Sequence, residues 1–252
     1  SALLGFAGAL LAFAAPAGAQ SVLRYASSAE PRTLDSIVNW LSVTHQHSYL
    51  VYDNLYTLDS NFRPQPQMIE SAVKGADGTS WTLTLRPGQT FHDGSPVTSA
   101  DVIASIKRWA ARDTAGRKLV ELGMQLEEVD ARSFRVKLSV DTPLLFEAFA
   151  KPTATGLFIM RASDAATDPM RAVEHVVGSG PFRFVREAYR PGDRLVYERN
   201  TAYRPRAEPA DYFSGGKVVK VDRVEWLVLP DSATAIASLR TGELDIYEPP
   251  PL

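Results

Sequence analysis

Residues 224–247 place the tightest constraint on the fold. The run VEWLVL (224–229) is almost continuously apolar, Pro230-Asp231 sets a helix start, Ala235, Ile236 and Leu239 form an apolar stripe, Gly242 closes the helix, and LDIY (244–247) reads as a second strand. Strand, capped helix, glycine stop and strand make a βαβ unit, whose strands run parallel and are buried on both faces. Such a pair needs further strands beside it, which makes the class α/β. They are not expected from residues 249–252 (PPPL), because a proline run cannot extend a ladder.

Other segments carry local signals. Residues 22–27 read as a short strand, and 42–55 (SVTHQHSYLVYDNL) as a helix burying Val43, Tyr49, Leu50 and Leu55. In TSWTLTLR (79–86), Trp81, Leu83 and Leu85 alternate with polar residues, as on a half-buried strand. Asp93-Gly94 supplies a turn, Thr98 is an N-cap with Asp101 three residues on, and Val102, Ile106 and Trp109, joined by Ile103 and Ala110, mark the inward face of the helix that follows. A hairpin is expected from 124–129 and 134–138, and a short helix after Pro143. Strands at 181–185 and 195–198 flank the turn Arg190-Pro191-Gly192-Asp193. Seven arginines lie between Arg183 and Arg206, but Glu187, Asp193, Glu198 and Glu208 are interleaved, which reads as a solvated mixed-charge hairpin rather than an anion site.

The first residues do not fit this globular pattern. ALLGFAGALLAFAA (2–15) is apolar and uncharged, and Ala17-Gly18-Ala19 follows as an A-x-A cleavage site. At 14 residues the run falls short of the ~20 needed to span a bilayer. The expectation is an export signal, 1–19, cleaved after Ala19, whose first residues precede Ser1. With no cysteine in the chain, a lipoprotein anchor is not expected, and the mature protein, starting near Gln20, should be free in an exported compartment.

Signatures of chemistry are sparse. The sequence has no G-x-S-x-G, no G-x-G-x-x-G after a strand, no Walker A and no H-E-x-x-H. Ser179 lies in GSGP, where Pro181 delays any helix a nucleophile elbow would need. His45 and His47 are two apart, so a helix points them in opposed directions, away from a shared metal. His92 beside Asp93-Gly94 fits turn bonding better than catalysis. Neither an enzyme nor a cofactor or metal is expected. A net charge of −2 offers no footprint for nucleic acid.

Six stretches, taken together, resemble the family 5 bacterial extracellular solute-binding proteins, the dipeptide, oligopeptide and nickel binding components of ABC transporters. They are PRTLD (31–35), VYDNLYTLD (51–59), WTLTLRPGQTFHDGSPVTSADVIASIKR (81–108), GSGPFRFV (178–185), LVYERNTAYR (195–204) and LPDSATAIASLRTGELDI (229–246). The resemblance implies a type II periplasmic binding protein fold: a first lobe from residues 20–41 and 177–252, an inserted subdomain from 42–176, and a second lobe lying beyond Leu252. It implies a monomer that traps a peptide-like solute between two lobes and delivers it to a membrane permease. By position in such proteins, Asn39 and Trp40, the helix start at Val43, Thr44 and His45, and residues 153–158 including Thr155 face the cleft. Trp40 would stack on the solute, and Thr44, His45 and Thr155 would hydrogen-bond it. The motifs FHDG and GSGP are read as folding elements. Nickel-type relatives meet a chelator through first-lobe arginines, and only Arg161 lies near a matching stretch. A nickel chelate, an opine or a sugar stays open as the solute, as does an exported hydrolase as the class.

Overall fold

A computed structural model describes residues 20–27, 29–153 and 155–249. The expected export segment, 1–19, lies outside them. In chain order the elements are β1 (Val22–Ala26), α1 (Ser42–Val51), β2 (Tyr56–Leu58), β3 (Pro64–Pro66), β4 (Ile69–Lys74), β5 (Ser80–Leu85), α2 (Ser99–Ala110), α3 (Thr114–Glu121), β6 (Gln125–Glu128), β7 (Ser133–Lys137), α4 (Leu144–Phe149), α5 (Ala162–Ala165), β8 (Phe182–Phe184), β9 (Arg194–Arg199), β10 (Arg223–Leu227), α6 (Ser232–Thr241) and β11 (Ile246–Tyr247).

The βαβ unit is present as β10, α6 and β11. The strand it needed is the chain's own first one. The five-stranded sheet runs β11-β1-β10-β9-β8, with β1 parallel to both flanking strands: Tyr25 lies opposite Trp226 on one side and Ile246 on the other. Strands β9 and β8 continue it antiparallel. A second, antiparallel sheet is ordered β4-β5-β7-β6, and β2 pairs with β3.

Two large apolar cores follow, beside a small cluster of Ala26, Ala235 and Leu244 under α6. In the second sheet Leu83, Leu85, Phe134 and Val136 point inward against Val102, Ile106 and Trp109 of α2. The register of α2 is set by Thr98 and Asp101, which bond each other's backbone N–H as a capping box. The other core lies on the five-stranded sheet and contains Val43, Val51, Tyr52, Phe182, Phe184, Leu195, Tyr197, Val224 and Trp226. Between them runs an extended segment whose side chains alternate: Leu157 and Ile159 enter one core, Phe158 and Met160 the other. Within residues 42–176, Val43, Val51, Phe158, Met160 and Ala165 join the core of the five-stranded sheet, while Ile159 and the side chains of the four-stranded sheet join the other.

Three expectations change. The helix from Ser42 stops at Val51, and Tyr52 is extended (φ −109°, ψ 159°) because the Val51 carbonyl leaves the helical pattern to accept the Gly180 N–H at 2.8 Å. Leu55 then lies in the other core. On α6 only Ala235 is fully buried, while Ile236 and Leu239 are 45% and 37% exposed, because the helix meets the sheet through its smallest apolar residue. Strand β10 correspondingly alternates instead of being buried throughout: Val224 and Trp226 are covered, and their neighbours are half-buried.

The motifs singled out in sequence meet at the junction. The His92 N–H donates to the Gly178 carbonyl (2.8 Å), the Gly178 N–H donates to His92 Nδ1 (3.3 Å), and His92 Nε2 lies 3.1 Å from the Gly180 carbonyl, which also accepts from the Asn200 amide (3.0 Å). This set suits a neutral ring protonated on Nε2. Burial pushes the His92 pKa down to about 4, outweighing the carbonyl's pull, and burial alone pushes His47 down to about 3.

Both rings are neutral in the fold and would take a proton near pH 6.5 in the unfolded chain. Between pH 6.5 and about 4 the unfolded state thus binds more protons, and stability falls as pH falls. The melting temperature is expected to be level above about pH 7 and to drop through this window, each ring costing roughly 1.4 kcal/mol of stability for every pH unit descended. A His47→Leu variant, which leaves the Tyr197 hydroxyl without its 2.9 Å partner, should be less stable near neutral pH yet show a shallower decline. An unchanged slope would contradict the assignment.

Candidate functional site

The residues expected to face a solute are not gathered in one place. Trp40 is exposed (71%) in the loop before α1. Thr44 is fully buried and donates its hydroxyl to the Thr33 carbonyl at 3.4 Å. His45 is buried against Phe158, with ring centroids 6.3 Å apart, and its Nε2 has no hydrogen-bond partner among the described residues. Burial, and secondarily the nearby Lys151, lower its pKa. Thr155 is half-buried and accepts the Trp109 indole N–H through its carbonyl at 2.8 Å. Arg161 is committed to Asp164 (2.7 Å) and Asp93 (2.9 Å). The His45 ring and the 155–158 segment are thus neighbours, whereas Thr44 points inward and Trp40 stands apart.

The sheet and α1 instead frame an open concavity of about 850 Å³. Leu23, Tyr25, Val224 and Trp226 from β1 and β10 form its floor, and α1 contributes Gln46, Tyr49 and Leu50. These three are helical neighbours, set opposite the buried stripe of Val43, Thr44, His47 and Val51, so the 3.6-residue period decides which side chains reach the opening. The far wall is the segment 210–221, where Phe213 stacks on Tyr49 with centroids 5.1 Å apart and planes at 25°.

The concavity has one polar end, at the carboxyl ends of β1 and β11. The Tyr25 hydroxyl donates to Glu248 Oε2 and lies 3.0 Å from Gln46 Oε1, while the Gln46 amide donates to the same Glu248 oxygen at 2.5 Å. Burial, reinforced by the hydrogen bond and charge of Glu248, raises the Tyr25 pKa well above its ordinary value, so the phenol remains a donor. Among the described residues nothing donates to Oε1 of Glu248. A carboxylate held through one oxygen by two donors, on an otherwise apolar surface, is arranged to meet a cationic group. Lys217 is taken by Asp53 at 2.7 Å, and the exposed Lys220 has no ion-pair partner among the described residues.

Two groups with catalytic potential are not poised for it. His92 spends both ring nitrogens on backbone groups, and the buried Ser179 Oγ has no hydrogen-bond partner among the described residues. No cluster of three metal-ligating side chains occurs among them, and no described helix is long and apolar enough to cross a membrane. Shape and chemistry fit reversible capture of an amphiphilic molecule. Sequence reasoning missed Tyr25, Gln46 and Glu248, since their meeting depends on the parallel pairing of β1 with β11.

The family model of bacterial extracellular solute-binding proteins, family 5, matches residues 63–252. The chain is 39% identical over 219 residues to a probable peptide ABC transporter periplasmic-binding protein, y4tO, of Sinorhizobium fredii, covering 86% of this chain and 41% of that protein. It is 29% identical over 203 residues to the glutathione-binding protein GsiB of Pectobacterium atrosepticum, covering 79% of this chain and 36% of that one. The chain thus spans about two fifths of the length of these curated relatives. Among solved structures, the oligopeptide-binding protein AppA of Bacillus subtilis, in complex with a nonapeptide, matches with a TM-score of 0.70 at 19% identity, over 92% of this chain and 45% of that one. That likeness shows the fold: part of a type II periplasmic binding protein.

Proposed function

The chain belongs to family 5 of the bacterial extracellular solute-binding proteins, and on that premise we propose that it forms part of a periplasmic receptor that captures a peptide-like solute for an ABC importer. The observation that carries this reading is the concavity floored by Leu23, Tyr25 and Trp226, with the anchored Glu248 carboxylate at one end. A peptide brings both complements, apolar side chains for the floor and an ammonium for the carboxylate. In this reading the five-stranded sheet, α1 and residues 158–165 make the first lobe, and the four-stranded sheet with α2, α3 and α4 is a subdomain inserted into it. A second lobe closing over the concavity would bury the solute and change the surface offered to a permease. The receptor acts as a monomer, after cleavage of its export signal, without catalysing a reaction. A metal chelate fits less well, because Arg161 is already shared by two carboxylates.

Calorimetric titration of the protein containing this chain tests the proposal. Short peptides with a free amino terminus are expected to bind, and N-acetylated ones to bind roughly tenfold more weakly or worse, as loss of a charged hydrogen bond implies at about 1.5–3 kcal/mol. Glu248→Gln should erase that difference. Absence of binding to any peptide, with tight binding of an opine or a sugar, would refute the assignment of the solute.

A further inference from the structure

Among the described residues, two that are not glycine hold a left-handed backbone: Phe62 (φ 59°) and Tyr212 (φ 55°). Both are aromatic, both are exposed (70% and 59%), and they touch each other edge to face with centroids 5.8 Å apart. In this region Cβ crowds the backbone, so glycine or asparagine is the ordinary choice. Among the described residues glycine holds seven such positions, including Gly215, three residues beyond Tyr212. A turn alone does not call for tyrosine here, and neither does core packing.

The two turns are pinned to each other independently of these rings. The Ser60 N–H donates to the Asp211 carboxylate and the Phe213 N–H to the Leu58 carbonyl, each at 3.1 Å. The aromatic pair is thus held in place at the rim. Tyr212 also lines the concavity and packs on Phe213 at 4.5 Å, and Phe213 stacks on Tyr49, so one aromatic surface runs from the wall of the concavity to its lip. Backbone strain retained at an exposed side chain is characteristic of ligand clamps.

We propose that Tyr212, steadied by Phe62, is a specificity-determining residue that receives a planar, aromatic side chain of the solute. The charges of the concavity fit such an occupant, with the Glu248 carboxylate and the Lys220 ammonium lining the same opening as partners for the amino and carboxyl groups of a short peptide. Ring against ring then supplies a preference that neither charge can provide. This inference rests on the solute-binding reading above.

The test titrates Ala-Phe-Ala and Ala-Ala-Ala into the protein containing this chain and into three variants, with melting temperatures measured alongside. The native protein should prefer the phenylalanine peptide about tenfold. Tyr212→Asn should lose that preference while melting at the same or a higher temperature, since asparagine tolerates the left-handed backbone. Tyr212→Phe should keep the preference, and Phe62→Asn should weaken it in part. A preference that survives Tyr212→Asn undiminished, or equal binding of both peptides by the native protein, overturns this inference and leaves the solute-binding reading standing. Failure of the native protein to bind either peptide overturns both.

Discussion

Replacing Arg108 with methionine is expected to lower the unfolding free energy by about 3–5 kcal/mol, the usual cost of leaving one member of a buried ion pair without the other. Arg108 and Asp35 have side chains only 1% exposed and meet in a two-pronged contact at 2.8 and 3.3 Å. The remaining capacity of both groups is used: Arg108 also donates to the Thr167 and Arg171 carbonyls, and Asp35 accepts from the N–H groups of Ile37 and Val173. Removing the guanidinium strands the carboxylate and several backbone groups away from water. The double variant Asp35→Leu/Arg108→Met removes both charges, and its loss should be smaller than that of Arg108→Met alone. Urea unfolding of the two variants and the parent decides the matter. A single variant within about 1 kcal/mol of the parent would show that the pair contributes little.

Gly178→Ala should be nearly as damaging, at about 3 kcal/mol or more. A Cβ on Gly178 would stand 2.0 Å from the Val51 carbonyl oxygen and 2.6 Å from its carbon, and one on Gly180 would meet the same peptide at 2.7 Å. These atoms are backbone and cannot swing aside. The left-handed region is not involved at either position; glycine is needed there for space. Gly192→Ala is the matched control, because its Cβ would meet nothing within 4 Å and only the positive φ of 75° is penalised, at about 1–2 kcal/mol. If the two variants melted alike, close packing of the GSGP turn on the end of α1 would not be what selects glycine.

Legibility in the sequence follows the range of the interaction. The Thr98 and Asp101 cap, the β6 and β7 hairpin and the Gly242 helix stop are decided by residues within a few positions of one another, and pattern alone reveals them. The end of α1 is decided by a glycine turn far along the chain, at Gly180, and a helical period cannot foresee that. The exposure of Ile236 and Leu239 likewise depends on how α6 lies on the sheet.

The motifs behave differently. They are recognisable as strings, yet their physical reason is tertiary: Asp35 of PRTLD meets Arg108, His92 of FHDG meets GSGP, and Tyr203 donates to Asp53 at 3.0 Å. Each pair closes a junction between segments distant in the chain, which fits reading them as folding elements. The candidate site was legible only in outline, because Tyr25 on β1, Gln46 on α1 and Glu248 just past β11 are connected by no local signal.

The central place of β1 also governs when the molecule can form. Its pairing partners, β10 and β11, leave the ribosome about 200 residues after it, which at about 5–20 residues per second is a delay of roughly 10–40 s. During that interval the first strand has neither neighbour, and no partial chain that stops short of residue 223 can seat it in the five-stranded sheet. The five-stranded sheet therefore cannot close around its first strand until late in synthesis, which leaves β1 open to any chaperone that binds extended apolar segments.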